Sequence, residues 1–179
     1  MAEKMLKVAA KLDVPILATE QNPKALGPTV ESLAKYLPPV HATQESGAGA
    51  RIYPKTQFSM LIPEIRDALP VLRQPGTPSI HAVLLGIETH ICVWQTCLDL
   101  LHDGFHVHVV ADAVSSCNFQ ERALALQSIR DAGGMITTTE TLIYRLLADA
   151  NHPRAKEVFA IVKEYSCSTK DALNALCSV

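Results

Sequence analysis

Apolar positions in this chain follow two rhythms, helical spacing and short unbroken runs, and the two alternate. From Glu3 to Leu12, Met5, Leu6, Val8, Ala9 and Leu12 fall on one helical face and Lys4, Lys7 and Lys11 on the other. Val14–Thr19 is an apolar run that predicts a buried strand, with Pro15 tolerable only near its start. The turn-rich Asn22–Pro28 leads to a short helix near Val30–Tyr36, and Leu37–Tyr53 predicts a surface loop. Pro63–Leu72 has amphipathic helical spacing, and Gln74–Pro78 is a turn. His81–Gly86 is apolar on both faces, the pattern of a central parallel strand. A helix is predicted from about Cys92 to His102, stopped by Asp103-Gly104. Strand Phe105–Ala111, helix Phe119–Ala132 and strand Met135–Thr138 follow, then helices near Thr141–Asp149 and Pro153–Tyr165.

Strands alternating with helices of this length predict an α/β fold, a parallel sheet covered on both faces in three layers. Residues 1–165 are read as one domain and 166–179 as a C-terminal tail without assigned structure. One feature departs from the usual plan: the chain opens on a helix, whereas such folds open on a strand. The net charge of −2 and 5% aromatic content argue against a nucleic-acid partner. Charges in Met1–Lys7 stand where a signal peptide would be apolar, and no stretch reaches the roughly 18 apolar residues of a membrane span. Five cysteines, odd in number and scattered, fit reduced thiols in a cytoplasmic compartment. No Cys/His spacing reads as a zinc site. No G-x-G-x-x-G follows a predicted strand, which disfavours a dinucleotide-binding oxidoreductase.

In open α/β sheets the active crevice lies at the carboxyl ends of the strands. Those ends place Thr19–Asn22, Lys55 with Phe58 and Ser59, Gly86–Cys92 and Asp112–Ser116 there. Cys92 sits where a strand hands over to a helix, so the helix dipole favours its thiolate, the reactive form. Backbone N–H groups at that handover can hold an oxyanion. Gly86 permits a tight backbone turn just before it. Cys97, in mid-helix, and Cys117, on a later loop, read as structural thiols. His90 is too near Cys92 in sequence to be its base. His106 and His108 share one strand face and read as packing or partly solvated residues.

These runs resemble the cysteine hydrolases of the isochorismatase-like superfamily, and in particular the eukaryotic isochorismatase domain-containing proteins. The matching segments are Ala18–Thr29, Lys55–Met60, Gly86–Thr96, Val110–Ser116 and His152-Pro153 with the helix after it, nearly the whole chain to Tyr165. The resemblance implies a doubly wound sheet in the order 3-2-1-4-5-6, assembly into homo-oligomers, and an Asp-Lys-Cys triad acting on amides or related small molecules. Carried over by motif, Cys92 is the nucleophile and Lys55 steadies its thiolate. The backbone at Ile87, Glu88 and Cys92 forms the oxyanion site, with a cis Ile87–Glu88 peptide. Glu20, Phe58, Thr89 and His90 line the substrate pocket.

The resemblance also marks departures. Relatives close their first strand with Asp-x-Gln, just ahead of the helix on which this chain opens. Neither strand 1 nor the triad aspartate has a counterpart in residues 1–179. The loss of a central strand costs several kcal/mol against a stability margin of roughly 5–15 kcal/mol, so a shortened gene model or isoform is the favoured reading. Glu20-Gln-Asn-Pro stands where nicotinamidase-type relatives carry an Asp-x-His zinc motif, so no metal and no cofactor is expected. The sequence thus points to a metal-free cysteine hydrolase of amide-type small molecules, with a non-catalytic binding protein that keeps the pocket as the alternative.

Overall fold

The lysine-bearing N-terminal segment forms helix α1 (Ala2–Lys11) of the computed structural model, which describes residues 1–37, 52–72 and 80–177, the side chains of 70–72 aside. Most of the loop predicted over Leu37–Tyr53, and the Gln74–Pro78 turn, lie outside the described residues. The chain divides into two units, Met1–Pro54 with Thr139–Val179, and Lys55–Thr138.

In the first unit, α1 is followed by β1 (Ala18–Gln21), the short helices α2 (Pro23–Leu26) and α3 (Glu31–Ala34), and β2 (Ile52–Lys55), whose last residue opens the second unit. The strand predicted from Val14 begins only at Ala18. Pro15 lacks a donor, and Asp13 turns the backbone at φ 53. Beyond residue 138 come α7 (Thr139–Leu147), α8 (Ala155–Glu164) and α9 (Ser166–Leu176), to be numbered after α4 to α6 of the second unit. The tail left unassigned by the sequence is therefore mostly helix, packed on α8. Val8 of α1, Ile143 of α7 and Val158 of α8 are fully buried together with Leu147 as the core of this unit.

Lys4 overturns the assignment of the α1 lysines to an outer face. It is completely buried, because at four residues before Val8 it shares that residue's side of the helix. Its Nζ donates to Thr169 Oγ1 of α9 at 3.0 Å and stands 3.6 Å from Glu140 of α7. Lys7 and Lys11 meet Glu164 and Glu157 of α8 in exposed ion pairs.

The second unit runs α4 (Pro63–Leu72), β3 (His81–Ile87), a π-helical turn (Thr89–Val93), α5 (Trp94–His102), β4 (His106–Ser115), α6 (Phe119–Asp131) and β5 (Met135–Thr137). Its strands form a parallel sheet in the order β3-β4-β5, each crossover carrying a helix as parallel pairing requires. β3 was expected at the centre of a sheet, but it stands at one edge of this one, and β4 is the central, buried strand. Removing strand 1 from the order 3-2-1-4-5-6 leaves 3-2 and 4-5-6, and the strands do pair in two separate sheets, β1-β2 and β3-β4-β5.

β4 also runs four residues past its predicted end at Ala111. Asp112 and Ser115 read as loop residues in sequence, yet the register with β3 resumes at Gly86↔Val114 and Ile87↔Ser115 after an irregularity between Leu84 and Gly86. Gly86 takes φ 132 at that point, a backbone geometry that side-chain-bearing residues avoid. Arg122 of α6, itself buried, donates to the carbonyls of Val114 and Ala111 and so satisfies β4 where its ladder is interrupted. Every peptide bond among the described residues is trans. The cis bond expected at Ile87–Glu88 is thus corrected, to the geometry that is cheaper by about 2.5–4 kcal/mol without proline.

Candidate active site

Cys92 lies within the π-helical turn rather than at the first turn of a regular helix. Both Ile91 and Val93 donate their N–H to the Glu88 carbonyl, at 3.2 and 3.1 Å. The second of these is the wider π-type closure, a local form concentrated at functional sites. α5 then continues from Trp94, whose Nε1 donates to Ser128 Oγ of α6 at 2.9 Å and anchors the helix start.

Lys55, at the end of β2, is buried, and the chain after it bends back over its ammonium group. Nζ donates to the Phe58 and Gln57 carbonyls at 2.8 and 3.0 Å and to Cys92 Sγ at 3.9 Å. Burial pushes Lys55 below its ordinary value of 10.5, and the Cys92 sulfur opposes that by charge and by hydrogen bonding. Two residues far apart in sequence, 55 and 92, are thereby brought into contact as the motifs suggested.

Thr96 completes this arrangement and was not singled out in the sequence. Its buried hydroxyl donates to the Cys92 carbonyl at 2.6 Å and accepts from the Met60 N–H at 2.9 Å, tying the Lys55 segment to the π-turn. Its signal was its position, one helical turn after Cys92 inside the Gly86–Thr96 match. Thr89 is fully buried, and its Oγ1 has no hydrogen-bond partner among the described residues. Phe58 is half exposed. His90 is partly buried, with Nδ1 3.0 Å from Ser116 Oγ and 3.6 Å from a Glu88 carboxylate oxygen. Glu88 in turn accepts the Cys117 N–H at 2.8 Å. Ile87, the last residue of β3, is exposed. Glu20 belongs to the first unit, where its carboxylate accepts the Thr29 N–H at 2.6 Å.

The other thiols in this unit differ from Cys92. Cys97 is completely buried, and burial pushes its thiol up to about 11, an inert state. Cys117 is exposed. His106 and His108 do share a face: both stack on His81 of β3, with ring centroids 4.9 and 5.2 Å apart.

Residues 1–141 match the family model described as the isochorismatase domain. Isochorismatase domain-containing protein 2 of Xenopus laevis is 44% identical over 164 residues, 92% of this chain and 72% of that protein. Isochorismatase domain-containing protein 1 of Danio rerio is 41% identical over 91% of this chain, which spans 52% of its length. Among solved structures, one described as MAR1 ribonuclease from Caenorhabditis elegans superposes with a TM-score of 0.77 at 38% identity, covering 90% of this chain and 76% of that one.

Proposed function

The chain belongs to the isochorismatase domain family, and from that premise we propose that it carries the nucleophilic site of a cysteine hydrolase acting on amide-type small molecules. The observation that supports this is the Lys55–Cys92 pair, a buried ammonium 3.9 Å from a partly buried thiol sulfur. At an effective dielectric of about 20, an ammonium and a thiolate at that separation attract by about 4 kcal/mol. A helix terminus contributes about 0.3–1 kcal/mol, so Lys55 is the stronger of the two positive charges beside the sulfur.

The thiolate of Cys92 attacks the substrate carbonyl carbon, and the C=O π electrons move onto oxygen. Backbone N–H groups around Ile87, Glu88 and Cys92 receive that oxyanion. The C–N bond breaks, the amine leaves with a proton from solvent that replaces the one the thiol gave up, and a thioester on Cys92 remains. Water then attacks it, releasing a carboxylate and restoring the thiol. Phe58, Thr89 and His90 of the second unit are the proposed pocket residues, and the scheme calls on no metal or cofactor. The family triad's aspartate has no counterpart in residues 1–179, so the decisive test reads the thiol rather than turnover. Residence in the cytoplasm and assembly of like copies complete the proposal. The exposed Phe119 and Leu124 of α6 support the latter, which light scattering on an eluting peak measures.

Iodoacetamide at neutral pH, with the modified sites mapped by mass spectrometry, is that test. Cys92 is expected to react faster than Cys97 and faster than the more exposed Cys117, and Lys55→Met to slow Cys92 at least ~10-fold. Equal rates at Cys92 and Cys117 would remove Lys55 activation and leave the non-catalytic binding reading in its place.

A further inference from the structure

Beyond the thiol and its lysine, three side chains of different chemistry meet at the carboxyl end of the β3-β4-β5 sheet. Glu88 follows β3, His90 lies in the π-helical turn, and Cys117 follows β4. One donor atom from each lies within 4.8 Å of the other two. We propose that Glu88, His90 and Cys117 form a binding site for a zinc-class divalent cation. This inference stands independently of the hydrolytic reading.

The donor set points to that class of ion. A thiolate, an imidazole and a carboxylate suit a borderline metal such as Zn2+, whereas Mg2+ and Ca2+ require mainly oxygen. Tetrahedral zinc bonds of about 2.0–2.3 Å place neighbouring donor atoms about 3.4–3.6 Å apart. The His90 Nδ1 and Glu88 Oε2 atoms are already 3.6 Å apart. No pair in the group must close by much more than ~1 Å, and the exposed Cys117 side chain has room to make that movement.

The surroundings hold two of the three donors in place before any ion arrives. Glu88 Oε2 accepts the Cys117 backbone N–H at 2.8 Å, which joins the β3 exit to the β4 exit. His90 Nδ1 lies 3.0 Å from Ser116 Oγ, which fixes the ring. On binding, the Cys117 S–H proton passes to solvent as the metal–sulfur bond forms, and His90 exchanges its serine contact for the ion where Nδ1 is the ligand. Three protein ligands leave a fourth position for water or a small anion. His90 is also a proposed pocket residue, so an ion held here stands beside the place where substrate enters.

The test uses the full chain with Cys167→Ser and Cys177→Ser, which removes two further thiols as competitors for the ion. Zn2+ titration by calorimetry is expected to give one equivalent, and Co2+ a thiolate-to-metal charge-transfer band. Cys117→Ser and His90→Ala should each weaken Zn2+ binding at least ~100-fold, beyond the 10–100-fold typical of residues that only support a ligand. Cys92→Ala should keep the affinity. Circular dichroism of each variant checks that it is folded. Binding that survives Cys117→Ser and disappears in Cys92→Ala would place the ion on the reactive thiol and overturn the proposal, as would absence of a stoichiometric Zn2+ or Co2+ complex.

Discussion

Lys55 works against its own surroundings. Burial favours its neutral form, while the Cys92 sulfur favours the ammonium. A lysine lowered below 10.5 in the folded state releases its proton before the unfolded chain does. Between those two values the unfolded state holds more protons, so this residue makes stability rise with pH. In Cys92→Ala burial acts unopposed, and the rise in urea-unfolding stability below pH 10.5 should be steeper than in the wild type. Adding Lys55→Met should abolish it. Gly134 offers a purely steric test at the same scale. A Cβ there would lie 2.6 Å from Ile129 Cγ2 and 3.1 Å from Cys97 Sγ, and both neighbours are completely buried and cannot retreat. Gly134→Ala should cost about 1–3 kcal/mol by urea denaturation. Residue type and motif singled out Cys92 and Lys55 in sequence, and the two stand 3.9 Å apart in the fold. The tie made by Thr96 was not legible there, since a threonine in a helix acquires a role only from the chain that passes beside it.

Among elements, helix periodicity was read well: α4 has its predicted limits, and α1, α5 and α6 differ from theirs by one or two residues. Strands were read less well, because their limits depend on partners. β4 continues through Asp112 only because β3 and Arg122 satisfy its backbone, and no local pattern announces that. Lys4 gives the helical counterpart. Its charge suggested solvent, but three helices of the first unit enclose it, and Thr169 of α9 accepts its hydrogen bond. Thr169→Val would leave a buried ammonium without that acceptor, with an expected cost of about 1–3 kcal/mol in urea unfolding. A tail without structure would show no change at this position, so the same variant tests whether α9 belongs to the folded unit.

For the whole molecule, net charge bears on whether nucleic acid is a partner. The similar structure from Caenorhabditis elegans is described as a ribonuclease. Here the net charge is −2 and the sequence pI about 6.4. Counterion release supplies most non-specific RNA affinity and needs clustered basic side chains. Fluorescence anisotropy with labelled single-stranded RNA is expected to show no salt-dependent binding at micromolar protein. A steep salt slope would reverse that expectation. No helix among the described residues is long and apolar enough to cross a membrane.

By itself the sequence determined the α/β class, the family and most of the order of helices and strands, β2, α2 and α9 excepted, and it singled out the thiol and the lysine on which the proposal rests. Each depends on local periodicity or on a contiguous motif, and both survive reading one residue after another. Tertiary structure alone decided that β3 lies at a sheet edge, that Lys4 is enclosed, and that the Ile87–Glu88 peptide is trans. It also decided that Cys117 meets Glu88 and His90 across twenty-seven residues or more, a spacing with no recognisable ligand pattern. Such outcomes follow from which segments pair and cross at long range. Parallel pairing of β3 and β4 brings their exits together, whatever length of helix separates them in the chain.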